Sequence, residues 1–183
     1  LSLTHQNIET LLLLCKKNNQ LAQLEVYNRY QKAMYNVAVR IVKDTAEAED
    51  VMQESFITAF SKLDSFKGDA TFGAWLKRIV INNSISQYKK SKRFVTLPEY
   101  HLEDEIEENT SSIEEDFSRT KAQQVMRCLE LLHTSYKQIL TLHLIEGYDY
   151  EEICDIMQLS YANCRTMVSR AKESLRKKLM ATS

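Results

Sequence analysis

The chain has 183 residues, 24 Lys and Arg against 25 Asp and Glu, three Gly, one Pro and four Cys. No stretch approaches the ~18 uninterrupted apolar residues of a membrane span, and the polar start lacks a signal-peptide pattern, so a cytoplasmic protein is expected. Cys15, Cys128, Cys154 and Cys164 form no C-x-x-C pair and lie near no clustered His. That argues against a zinc site or a disulfide framework and for reduced, packed thiols.

So few Gly and Pro, with long runs rich in Leu, Ala, Lys, Glu and Gln, predict an all-α fold. In chain order, the run Leu11–Leu14, closed by Lys16 and Lys17, reads as a buried helix face. Residues 24–42 read as one helix with Leu24, Tyr27, Tyr30, Met34, Val37, Ala38 and Ile41 facing inward. Asp44 or Thr45 can cap the next helix, in which Ala48, Val51, Met52 and Ser55 turn inward. Glu47, Asp50 and Glu54 then share an outer face flanked by Gln53. An acidic stripe on an otherwise basic block is either solvated or docks a basic protein, since it would repel DNA.

Phe66 to Phe72 reads as a short loop in which Gly68 is free to take positive φ. The helix that follows places Phe72, Leu76, Ile79 and Asn83 on one side and offers Lys77, Arg78, Asn82, Tyr88 and Lys89 on the other. Aromatic, amide and cationic groups on one helix can stack on unpaired bases and hold phosphates. Trp75 is divided between that role and the core.

Charge then divides the chain. Residues 1–93 carry 14 bases and nine acids, net +5; residues 94–118 carry nine acids and no base; residues 119–183 carry ten bases and seven acids, net +3. The acidic segment holds the single proline, Pro98, and buries little, which predicts a flexible linker between two small helical domains, 1–93 and 119–183.

In the last block, Ile139, Leu142 and Ile145 predict a helix ending at Gly147. Asp149 with Glu152 three residues on is a capping box. A short helix with Ile153 and Ile156 inward stops near Gln158, Leu159 fills the turn, and Ser160 caps the final helix. There Cys164, Val168, Ala171, Leu175 and Leu179 form one apolar stripe. Arg165, Ser169, Arg170, Lys172 and Arg176 fall largely outside it. A short helix, a tight turn and a longer basic helix form a helix-turn-helix that can enter a major groove.

Taken in order, these segments resemble the bacterial extracytoplasmic-function (ECF) sigma factors over roughly residues 20–92 and 120–180. The helix Glu47–Phe56 resembles region 2.2, which binds the clamp helices of the RNA polymerase β′ subunit. Phe66–Lys90, with Phe72, Trp75, Leu76, Arg78, Ile79 and Asn82 in a Phe-x-x-Trp-Leu-x-Arg-Ile-x-x-Asn string, resembles regions 2.3 and 2.4, which open the −10 element. Residues 122–180 resemble region 4, which reads the −35 element. The resemblance implies polymerase contacts at Glu47, Asp50, Gln53 and Glu54. It implies −10 contacts at Phe66, Lys67, Trp75, Arg78, Asn82 and Lys89, and −35 contacts at Arg165, Thr166, Ser169, Arg170 and Lys172. It further implies core RNA polymerase (β′ and β subunits), promoter DNA and an anti-sigma factor, often membrane-anchored, as partners. The acidic linker would follow the basic RNA channel of polymerase.

Three positions depart from the family pattern. Ser86 stands where an acid is frequent, Gln158 where the turn often has Gly, and Met167 where a base is usual, so the promoter sequence does not transfer from relatives. A stand-alone helix-turn-helix regulator with an N-terminal sensing or dimerisation domain is the alternative; it would leave the Asp50/Gln53/Glu54 face idle. Four scattered His (5, 101, 133 and 143), no Gly-rich phosphate loop and no paired nucleophile and base argue against an enzyme. No catalytic residue, metal, cofactor or small-molecule substrate is expected.

Overall fold

A computed structural model describes residues 3–94 and 117–181, all of whose regular structure is helical. The chain divides into two units, residues 1–96 and 97–183. The predicted linker, 94–118, lies outside the described residues except at its ends, where one helix closes and the next opens.

The first unit holds α1 (Ile8–Lys16), α2 (Gln20–Val42), α3 (Thr45–Ser61), a 3₁₀ turn (Leu63–Ser65) and α4 (Phe72–Phe94). Each start is set by a side chain that accepts from an otherwise unpaired N–H of the first turn. Asn7 accepts from Thr10, Asn19 from Ala22, Asp44 from Glu47 and Thr71 from Ala74. The helices α2, α3 and α4 pack on one another, and α1 lies against α2. Their shared core contains Val26, Met34, Ala38, Ile41, Met52, Phe56, Leu76, Val80 and Ile81.

Three expected faces are corrected. Leu24 is 55% exposed; the helix begins four residues earlier than expected and turns Ala22 and Val26 inward instead. The run Leu11–Leu14 is buried only in part: Leu11 and Leu12 join Cys15 in the core while Leu13 is 62% exposed. Four consecutive helical residues at ~100° each sweep nearly the whole circumference, so one must face out. On α4 the core stripe is Phe72, Leu76, Val80 and Ser84, with Ile79 and Asn83 at its half-buried margin.

The second unit holds α5 (Phe117–Glu130), α6 (Thr134–Leu140), a π-helical turn (Thr141–Ile145), α7 (Tyr150–Met157) and α8 (Tyr161–Ala181). The predicted regular helix up to Gly147 is therefore an α-helix that widens: the Glu146 N–H donates to Thr141 O, five residues back. Gly147 then takes φ +79°, and the Tyr148 N–H closes on Leu142 O at 3.0 Å. The capping box forms as expected, with Glu152 N–H on Asp149 Oδ1 at 2.8 Å and Asp149 N–H on Glu152 Oε2 at 3.1 Å. Gln158 adopts left-handed φ and ψ of 58° and 48°, a conformation that strains any residue with a Cβ. Ser160 caps α8, whose stripe Cys164, Val168, Ala171 and Leu175 is buried, with Leu179 half-buried.

Candidate functional site

The outer face of α3 is built by what lies beneath it. Ala48, Val51, Met52, Ser55 and Phe56 are buried, so the helix has one rotation available, and it leaves Asp50, Gln53 and Glu54 exposed. Neither Asp50 nor Glu54 has an intramolecular ion pair among the described residues. Glu47 differs. It is half-buried, and its Oε1 accepts from Ser91 Oγ of α4 at 2.8 Å. The carboxylate is thus partly committed within the unit, through a contact across 44 residues of chain that no local pattern foreshadows.

The helix α4 is held against α3 by a polar link in the packing layer. Ser55 Oγ donates to Val51 O at 2.6 Å and accepts from Asn83 Nδ2 at 3.0 Å. At its start, a Cβ on Gly73 would stand 3.0 Å from the Tyr30 ring, so α2 and α4 approach closely there. Phe72 packs edge-on to Tyr30, with ring centroids 5.4 Å apart, and is 3% exposed; it is core. Phe66 follows the 3₁₀ turn and leans on both Phe72 and Trp75, at 5.8 and 5.3 Å. Gly68 takes φ +84°, which lets the loop reverse with Lys67 exposed. Phe66 and Trp75 are each half-buried, so each keeps part of its ring accessible.

At ~100° per residue, Trp75, Arg78, Asn82 and Lys89 fall within about 60° of one another around α4. Asn82 and Lys89 are exposed, whereas Arg78 is half-buried and has an intramolecular partner. Lys77 and Tyr88 lie on the far flank, half-buried and partnered, and do not share the stripe expected for them. Ser86 falls inside the exposed stripe.

On α8, Arg165, Ser169 and Arg170 are exposed and have no intramolecular hydrogen bond among the described residues. Thr166 is exposed too, but its Oγ1 donates to Ala162 O at 2.9 Å. Arg176 is paired to Glu173 at 2.9 Å. Lys172 is placed differently from the other basic side chains. It lies on the flank nearest the core stripe, half-buried, with Nζ 3.3 Å from His143 Nε2. The other ring nitrogen, Nδ1, lies 3.1 Å from Tyr148 O. A carbonyl only accepts, so Nδ1 carries the proton and Nε2 accepts from the lysine. Tyr150 lies beside the imidazole with centroids 5.1 Å apart. His143 is thus a structural partner of the final helix.

Two family models match this chain: one described as Sigma-70 region 2 covers residues 26–94, and one described as Sigma-70, region 4 covers residues 122–175. The ECF RNA polymerase sigma-E factor of Salmonella typhimurium is 31% identical over 172 residues, spanning 90% of each chain. The chain belongs to the ECF sigma factors. The ECF RNA polymerase sigma factor SigW of Bacillus subtilis is 28% identical over 183 residues, spanning 90% of this chain and 92% of its own. Among solved structures, CnrH in complex with the cytosolic domain of CnrY is similar with a TM-score of 0.55 and 25% identity, over 95% of this chain and 97% of that one. As a sigma factor the chain is a promoter-specificity subunit that directs transcription initiation. Both its acidic α3 face and its α4 stripe lie in the region 2 match, and the exposed bases at the start of α8 lie in the region 4 match. No helix among the described residues is long and apolar enough to cross a membrane.

Proposed function

We propose that this sigma factor docks core RNA polymerase through Asp50, Gln53 and Glu54, with Glu47 at the margin. The observation that carries the reading is the pair Asp50 and Glu54, exposed carboxylates without an internal partner on a unit whose net charge is positive. Charges of that kind steer a basic partner and repel DNA. Phe66, Lys67, Trp75, Arg78, Asn82 and Lys89 then receive the opened −10 strand, with the accessible faces of Phe66 and Trp75 as stacking platforms. Arg165, Thr166, Ser169 and Arg170 read the −35 duplex. Residues 1–93 serve as the polymerase and −10 domain, 94–118 as an acidic connector and 119–183 as the −35 domain. The protein works in the cytoplasm with no chemistry, metal or cofactor of its own. Polymerase holds both readers at a fixed separation, so each raises the effective concentration of the other. The likeness to CnrH, whose structure includes the cytosolic domain of CnrY, favours a protein regulator of the anti-sigma kind.

The test combines the protein with core polymerase and a promoter library. Selective initiation is expected, and charge reversal at Asp50 and Glu54 should weaken core binding by at least about tenfold, as expected for loss of close interfacial charge pairs. Tight promoter binding without polymerase, with core affinity unmoved by the reversal, would overturn the reading in favour of a stand-alone regulator.

A further inference from the structure

The helix-turn-helix contains a thiol pair that promoter recognition does not use. Cys154 lies in α7 and Cys164 in α8, close enough that the Cys154 thiol helps to raise the pKa of Cys164. The placement is fixed from a second direction. Cys164 Sγ also reaches Tyr150 O at 3.7 Å, and in an α-helix that carbonyl faces the N–H of residue 154. Cys164 therefore sits against the one turn of α7 that carries Cys154. Cys164 is fully buried, whereas Cys154 is half-buried and open to a small oxidant.

We propose that Cys154 and Cys164 form a reversible disulfide when the protein meets a hydroperoxide, and that the oxidised form is impaired in −35 recognition. The Cys154 thiolate attacks the peroxide, the O–O bond breaks, and hydroxide leaves to become water, giving a sulfenic acid at Cys154. The Cys164 sulfur then attacks the Cys154 sulfur. The S–O bond breaks, the leaving hydroxide takes the Cys164 proton, and a second water departs. Two thiols and one hydrogen peroxide give one disulfide and two waters, the two electrons passing from the sulfurs to the peroxide oxygens. The order of events follows from burial, which pushes the Cys164 thiol up to about 11, with the contact to Cys154 adding to the shift. The more exposed Cys154 is the one that meets the oxidant.

Closing a non-bonded approach of two thiols to the ~2.0 Å of an S–S bond draws the sulfurs together and pulls on the turn between α7 and α8. The strain falls next to Arg165 and Thr166, the first residues of the proposed −35 surface. The functional half of this inference rests on that −35 reading of α8.

The experiment keeps the two apart. The reduced full-length protein is exposed to hydrogen peroxide, alkylated and digested with trypsin. Both cysteines fall in one tryptic peptide, residues 138–165, so the disulfide appears as that peptide two hydrogens lighter and unalkylated. In parallel, initiation is measured with core polymerase on the promoter selected by the reduced protein. Expected are the lighter peptide and about tenfold or greater loss of initiation, the scale of losing a base-reading contact, with core binding retained and full recovery on adding dithiothreitol. Cys154→Ala should initiate normally and resist peroxide. The proposal is overturned if both cysteines stay alkylatable after peroxide, or if the disulfide forms and initiation is unchanged. A reduced protein that initiates nowhere would instead sink the sigma reading of α8 and the functional claim with it, whatever the peptide shows.

Discussion

Replacing Ser55 by Ala tests whether the polar link between α3 and α4 is as consequential as its geometry implies. Ser55 is fully buried; its hydroxyl donates to Val51 O at 2.6 Å and accepts from Asn83 Nδ2 at 3.0 Å. Truncation to a methyl leaves the half-buried Asn83 amide facing carbon, which costs about 1–3 kcal/mol of desolvation without return. Asn83→Ala is milder: Ser55 keeps its bond to Val51, and only one neutral hydrogen bond, about 1 kcal/mol, is lost along with some packing. The double variant contains neither orphan, so its cost should fall short of the two single costs added together by about 1 kcal/mol. The assay is urea unfolding followed by the fluorescence of Trp75, the single tryptophan of the chain, which sits in α4 and reports the first unit alone. At a slope near 2 kcal/mol per molar urea, a loss of about 2 kcal/mol lowers the Ser55→Ala midpoint by about 1 M. Additive single effects, or a Ser55→Ala midpoint unmoved from wild type, would refute the assignment of a coupled hydrogen bond.

Two further outcomes are expected. Lys172 is turned to His143, whereas Arg165 and Arg170 stand free on α8, so Lys172→Met should change promoter affinity less than about twofold while Arg170→Ala costs about 1–3 kcal/mol, read as salt-controlled binding of the polymerase complex. An equal loss at both positions would put Lys172 back on the DNA face. Burial raises the Cys15 thiol from 9.0 to about 11. Folding therefore favours the neutral thiol, and its contribution is fully present below pH 9.0 and is lost as pH rises through about 11. Over that window up to about 2–3 kcal/mol of first-unit stability should drain away in wild type but not in Cys15→Ala; identical Trp75-monitored pH profiles would contradict this.

What could be read from the sequence was local. Asp44 and Ser160 announce helix starts because a short polar side chain bonds an orphan N–H within three residues, and the Asp149/Glu152 box needs no information from elsewhere. Gly68 and Gly147 were legible for the same reason, as positive φ is set where it occurs. The stripe Cys164, Val168, Ala171 and Leu175 shows a helical period because its buried arc is narrow and exposed residues such as Arg165, Ser169, Arg170 and Arg176 occupy the rest of the helix. Periodicity failed where a helix is covered from several sides: α2 meets α1, α3 and α4, so its buried arc is wide and Leu24 could be exchanged for Val26 without breaking the pattern. Contacts between distant residues were beyond reach. Ser91 on Glu47, Asn83 on Ser55 and Lys172 on His143 each join elements whose relative rotation only packing decides. Those three contacts sort the candidate side chains into free and committed, which composition and spacing leave open.

The π turn at Thr141–Ile145 also bears on how this unit tolerates changes in length. Such a turn carries one residue more than an α-helix requires, and the Glu146 N–H reaches past the usual partner to Thr141 O. Loss of a single codon between Thr141 and His143 would let the backbone relax to ordinary pitch with every hydrogen bond re-formed. Glu146 and all that follows would keep their place, since its bond to Thr141 O becomes an ordinary α-helical one, while His143 inside the turn would move by one position, ~100°, around the helix. His143 would swing away from Tyr148 O and Lys172, returning the lysine to solvent on the flank of α8. An in-frame deletion at this one place would thus yield a folded protein with a different arrangement of charge on its final helix, a change of surface obtained without substituting any residue on that helix.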